Sequence, residues 1–154
     1  MAADEIVKMV DEKIPELIDH LGWRLWRAAR LWKAEFDRRM AERGLSWYSE
    51  SRASLMAQIG SDGIRQSLLV RRMGLTKQAV QQIIDELVAE GVVLRQPDPA
   101  DSRGRIIALT ARGIGAVRAA NEVKQDIDAA QRLKLGGKRF DALMETLRTV
   151  APDL

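Results

Sequence analysis

Apolar residues return every three or four positions along most of the chain, the spacing of helices that bury one face. The first such run starts at Pro15, a residue suited to the first turn of a helix. It continues to about Arg43 through Leu17, Leu21, Leu25, Ala28, Trp32, Phe36 and Met40. A helix of about 28 residues, rising roughly 1.5 Å per residue, would be about 40 Å long. Trp23, Trp26 and Trp32 place aromatic bulk on more than one of its faces. A small domain can hardly cover them all, so part of this helix is expected to meet a second chain.

Gly44 ends that run. A second helix is predicted in "SWYSESRASLMAQIG", with Ser46 or Ser49 as N-cap and Ala53, Leu55, Met56 and Ile59 as its apolar positions. Ser61–Gly63 reads as a turn. "IRQSLLVRRMG" gives a short third helix that stops at Gly74. The clearest helix is "LTKQAVQQIIDELVAEG". Thr76 is its N-cap, Val80, Ile83, Ile84 and Leu87 form the inward stripe, and Gly91 closes it. Lys77, Gln78, Gln81, Gln82 and Asp85 fall on the opposite side.

The spacing then changes. Val92–Leu94 and Ile106–Leu109 read as two short strands joined by a long polar loop, Arg95–Arg105, with Arg103 near its tip. Thr110 caps a further long helix reaching about Leu135. Gly136-Gly137 breaks it, and a last amphipathic helix carries Phe140, Leu143, Met144, Leu147 and Val150. The predicted class is mainly α, with one two-stranded β hairpin as the only sheet.

Charge sharpens this picture. The net charge of +3 is modest. Between Arg65 and Arg118, however, nine basic residues face five acidic ones, so the middle of the chain is +4. A basic middle points to an anionic partner. The absence of cysteine excludes disulfides, thiolate metal sites and cysteine redox switching. One histidine, His20, makes no metal site and reads as a helix-surface or interface residue. No catalytic triad, phosphate-cradling glycine loop or convincing carboxylate pair stands out, so neither an enzyme nor a cofactor is expected. There is no run of about 18 apolar residues, hence no membrane partner, and a cytoplasmic location is the default expectation.

Two short helices joined by Gly74-Leu75 form a helix-turn-helix pattern. In that motif the N-terminal part of the second helix meets base edges in the major groove. Here that part presents Thr76, Lys77, Gln78, Gln81 and Gln82. Glutamine can bind adenine through two hydrogen bonds, and lysine can reach guanine or phosphate. A hairpin directly after such a helix is the wing of a winged helix. An arginine at its tip can reach the electronegative minor groove. This explains the long loop: it projects Arg103, while Asp101 pairs with an arginine to hold the tip. Arg95 and Arg105, at the base, suit phosphates.

At this point the sequence resembles the MarR family of bacterial winged-helix regulators. The residues that carry the resemblance lie in "DELVAEGVVLRQPDPADSRGRIIALTARG": Leu87, Gly91, Arg95, Asp98-Pro99, Asp101, Arg103, Leu109-Thr110 and Gly113. Val70 departs from the alanine more often found before the family's basic pair. The resemblance implies a homodimer built from the first and the last two helices. It divides the chain into 1–44 (dimerisation), 45–113 (winged helix-turn-helix) and 114–154 (dimerisation). It also implies a sequence-specific transcriptional regulator, more often a repressor, on a pseudo-palindromic site in double-stranded DNA. Many members release DNA when a small, often aromatic, effector binds between the two regions. Trp23, Trp26, Trp32, Trp47, Tyr48 and Arg52 would lie near that site. An arginine beside aromatic walls suits an aromatic carboxylate, though dimer core and elbow packing account for the same residues. The alternative function is an architectural or protein-interaction winged helix without ligand control.

Overall fold

The computed structural model describes residues 16–152. The chain divides into two units, Met1–Leu31 and Trp32–Leu154. Six helices and three strands are described: α1 (Leu21–Glu42), α2 (Glu50–Ala57), β1 (Ile64–Arg65), α3 (Gln66–Met73), α4 (Lys77–Ala89), β2 (Val93–Asp98), β3 (Asp101–Leu109), α5 (Ala111–Leu135) and α6 (Gly137–Val150).

The first helix begins later than its sequence predicts. Pro15 lies outside the described residues, and residues 16–20 are not helical. The N-terminal signal is His20. Its carbonyl accepts the Arg24 N–H at 3.1 Å, and its Nδ1 accepts the Trp23 N–H at 3.3 Å. His20 therefore satisfies one of the open donors of the first turn, a role not read from its type. With 22 residues, α1 is about 33 Å long rather than 40 Å. In the first unit Trp23 stacks on Trp26 with ring centroids 5.0 Å apart, and Arg30 lies over the Trp26 ring.

In the second unit one core joins the helices to the sheet. Its fully buried members include Met40, Leu55, Met56, Leu69, Val80, Ile84, Leu87, Val92, Val93, Ile107, Val123 and Ile127. The stripe Val80–Ile84–Leu87 is fully buried as its spacing requires. Two predicted N-caps hold, Thr76 Oγ1 accepting from Ala79 N and Thr110 Oγ1 from Gly113 N, both at 3.1 Å, whereas Ser49 precedes α2 without a side-chain cap hydrogen bond. Gly74 and Gly91 end α3 and α4 with φ of 62° and 68°, in the left-handed region that glycine enters without cost.

The sheet departs from prediction twice. It has three strands in the order β1-β3-β2, all antiparallel, rather than a hairpin alone. Strand β1 is two residues long and pairs Ile64 with Ile107 and Arg65 with Ile106. Gly63 makes room for it. With φ of 77°, a Cβ there would stand 2.7 Å from Ile106 Cγ2 and 2.8 Å from the Ile107 carbonyl oxygen. The second departure is the wing. The stretch predicted as a loop is mostly strand: β2 and β3 run on to Asp98 and Asp101, leaving Pro99-Ala100 as the turn.

Candidate nucleic-acid interface

The wing carries its irregularity on one strand only. Pro97 pairs with Arg105, and Asp98 with Asp101, so Ser102, Arg103 and Gly104 have no partner across the ribbon. These three residues form a bulge, which bends a strand and re-aims its side chains. Arg103 is thus not at the tip of a projecting loop, as its sequence suggests. It stands in the bulge, exposed, three residues beyond the turn. Asp101 does hold this segment, but through the backbone: its Oδ1 accepts the Arg103 N–H at 2.9 Å. Arg105 Nη1 donates to the Gly104 carbonyl at 2.8 Å.

Asp98, at the other side of the turn, is buried. Its Oδ1 accepts the Ala100 N–H at 2.9 Å, and its Oδ2 lies 2.7 Å from Arg65 Nε. Sequence reading gave Asp98 no role beyond its place in the motif, and counted Arg65 only as a charge.

Helix α4 presents the predicted residues unevenly. Lys77 and Gln78 are exposed and make no side-chain hydrogen bond among the described residues. Gln81 is half-buried. It accepts from Gln66 Nε2 of α3 and donates to Asp85 Oδ1 at 3.1 Å. Arg95, expected on a phosphate, pairs with Asp85. Arg95 first and Gln81 second hold the Asp85 carboxyl below its ordinary value of 3.8. Gln82 donates to Glu86 Oε1 at 3.2 Å. Glu86 in turn accepts from Arg52 Nη2 at 2.8 Å and Nε at 3.1 Å, contacts that lower its pKa below 4.5.

One concavity of about 450 Å³ gathers the basic groups. Arg65, Lys77, Arg103 and Arg105 line it, with Asp98 and Asp101 as its acidic residues. It opens where α3, α4 and the wing meet.

The candidate ligand residues of the second unit lie together. Trp47 and Tyr48 meet edge to face at 5.7 Å, Tyr48 contacts Phe36 at 6.3 Å, and Phe36 stacks on Trp32 at 5.5 Å. Burial raises the Tyr48 pKa above 10.0. Phe36 is the member that sequence reading missed, since its spacing marked it only as core. Arg52 Nη1 donates to the Trp47 carbonyl at 2.9 Å. The carboxylate that Arg52 holds is therefore that of Glu86. Trp23 and Trp26 belong to the first unit, where they stack on each other.

Residues 51–104 match the family model described as MarR family. The transcriptional regulator HosA of Escherichia coli O111:H- is 29% identical over 96 residues, which are 62% of this chain and 71% of that protein. Among solved structures, the reduced form of MarR from E. coli superposes with a TM-score of 0.72 at 21% identity, covering 89% of this chain and all of that one. A mutant of MepR from S. aureus bound to an oligodeoxyribonucleotide gives 0.64 at 17% identity, covering 86% of this chain and 96% of that one. At these identities the structural likeness speaks for the fold, while the family model covers the helix-turn-helix and the wing as far as Gly104. Over its helix-turn-helix and wing, residues 51–104, the chain is thus similar to the MarR family, and its fold is that of the solved winged-helix regulators.

Proposed function

We propose that this chain is a homodimeric, sequence-specific DNA-binding protein, acting as a repressor on a pseudo-palindromic operator. One observation carries the reading: side chains of α4 and of the wing line the same basic concavity, Lys77 from the helix and Arg103 and Arg105 from the ribbon. A recognition helix entering the major groove and a wing arginine over the adjacent minor groove need these elements side by side. Lys77 and Gln78 are the α4 groups best placed to read bases, with Thr76, Gln81 and Gln82 beside them. The MepR structure bound to an oligodeoxyribonucleotide supports DNA as the partner.

In this reading residues 1–44 and 114–154 hold the dimer, and 45–113 bind DNA. The apolar residues that α5 and α6 leave exposed, Leu133 and Leu143 among them, support the dimer. Two recognition helices would then stand about 34 Å apart, one turn of B-DNA. A small effector, aromatic in many members, would release DNA by shifting that spacing. Trp47, Tyr48 and Arg52 are the candidate effector residues of the second unit. Among the described residues no helix is long and apolar enough to cross a membrane.

A second reading, an architectural DNA binder, gains weight from the internal bonds of Gln81 and Gln82, which leave fewer groups free for bases. Fluorescence anisotropy separates the two readings, with duplexes tiled across the DNA flanking the gene, at two salt concentrations. Saturable binding to one duplex at about 10⁻⁸ M or tighter, well above its neighbours, is the expected result. Weak, uniform, salt-sensitive binding would establish the architectural reading. No binding even at low salt would overturn both.

A further inference from the structure

Asp98 is the buried charged residue among the described ones, with 3% of its side chain exposed. A carboxylate taken out of water needs hydrogen bonds and a counter-charge. Its Oδ1 accepts the Ala100 N–H, while its Oδ2, 2.7 Å from Arg65 Nε, is met by opposite charge and not by an aligned hydrogen bond. The wall behind it is tight. A Cβ on Gly104 would stand 2.9 Å from Asp98 Cβ and 3.1 Å from Oδ2. The carboxylate therefore has little room to move.

Arg65 is held twice. Its backbone pairs with Ile106 in the sheet, and its side chain meets Asp98. Yet the side chain stays 55% exposed, and its Nη groups form no hydrogen bond among the described residues. Asp98 thus engages the inner edge of the guanidinium and leaves the outer donors open. Those donors border the concavity shared with Lys77, Arg103 and Arg105. A guanidinium fork suits the oxygens of a phosphate, and a side chain already fixed loses less entropy on binding.

We propose that Arg65 is a DNA-phosphate-binding residue and that buried Asp98 is the positioning residue that aims it. The inference rests on the DNA-binding reading and adds to it a contact from the start of α3. A phosphate contact carries no base information. It therefore has a signature that a structural role lacks: one neutralised phosphate changes the slope of log K against log salt by about 0.9.

The test uses the full chain and a mixed-sequence duplex of about 30 base pairs, enough for two half-sites. Anisotropy titrations would run across a salt series for the wild type, Arg65→Gln, Asp98→Asn and the double variant. Thermal unfolding of each checks the fold. Arg65→Gln should bind more weakly on every sequence, with a slope shallower by about 0.9 for each Arg65 in the complex, hence about 1.8 for a dimer on two half-sites. Asp98→Asn should also bind more weakly, and the double variant no more weakly than Arg65→Gln alone, because Asp98 acts through Arg65. If the wild type binds and Arg65→Gln keeps its slope, the phosphate role is overturned. If the two substitutions add independently, the positioning role is overturned. A wild type that binds no duplex at the lowest salt overturns the DNA-binding reading itself, and this inference with it. Arg65→Gln alters a half-exposed side chain, so it keeps the test decisive even where Asp98→Asn unfolds.

Discussion

Arg52 and Glu86 form an ion pair, Nη2 to Oε2 at 2.8 Å, that joins α2 to the middle of α4. The same arginine donates to the Trp47 carbonyl, and the same glutamate accepts from Gln82. A chain of three hydrogen-bonded contacts therefore runs from the aromatic cluster to the exposed face of α4. An aromatic carboxylate arriving at Arg52 would have to displace Glu86. Glu86→Gln should accordingly raise affinity for salicylate or benzoate, read by Trp fluorescence, and Arg52→Ala should abolish it. Equal weak binding by all three proteins would remove Arg52 from the effector site.

The same pair has a consequence in acid. Arg52 holds Glu86 below 4.5, and Arg95 holds Asp85 below 3.8. Groups with depressed values stabilise the fold above their ordinary pKa, and the benefit is lost as pH falls through the folded values. Urea midpoints should thus hold down to the ordinary carboxylate range and decline below it. In Glu86→Gln the wild-type plateau should be lower and the acid decline smaller. An identical decline would show that other carboxylates govern it.

Among the described residues the side chains of Lys77, Gln78 and Arg103 form no hydrogen bond, whereas Gln81 is held by Gln66 and Asp85. Arg103→Ala should weaken DNA binding strongly and leave the oligomeric state intact. Gln78→Ala should relax base preference by about 1–3 kcal/mol if its contact is bidentate. Gln81→Ala should act less on preference than on stability. The reverse order, measured against duplexes with single base changes, would mean that Gln81 exchanges its internal bonds for DNA.

Gly113 and Gly115 lie two residues apart in α5 and should respond oppositely to alanine. A Cβ on Gly113 would stand 2.0 Å from the Val92 carbonyl oxygen, a backbone atom that cannot turn aside. Nothing lies within 4 Å of one on Gly115. Gly115→Ala should add about 0.5–1 kcal/mol through helix propensity. Gly113→Ala should cost about 1–3 kcal/mol or more through overpacking. Urea unfolding of both variants checks the contrast, and equal effects would mean that α5 shifts freely on the sheet.

Helix α6 has no buried residue, and Leu133 at the end of α5 is 87% exposed. The helix only half-buries Phe140, Met144 and Leu147, so an apolar edge stays open for the proposed dimer. Leu143→Glu should give a folded monomer with greatly weakened operator binding, read by analytical ultracentrifugation and anisotropy. A variant that remains dimeric would move the interface elsewhere.

What the sequence by itself determined is local. The stripe Val80–Ile84–Leu87, the caps Thr76 and Thr110, and the stops Gly74 and Gly91 depend on residues within a turn or two, so spacing alone reveals them. The wing motif was legible for the same reason, down to the Gly113 that packs against Val92. What only the tertiary structure decided depends on residues far apart in the chain. Strand β1 is too short to carry a pattern, and it exists because Ile107 passes beside Ile64. In the sequence Asp98 is only a member of the wing motif, and it is the turn and Arg65 that enclose it. Gln81 and Gln82 read as base contacts, Arg95 as a phosphate contact and Arg52 as an effector contact, because their partners, Gln66, Asp85 and Glu86, are set by how helices and sheet pack. Periodicity tells which face of an element is buried. It does not tell which polar groups meet across the seams, because that is fixed by packing at long sequence separation.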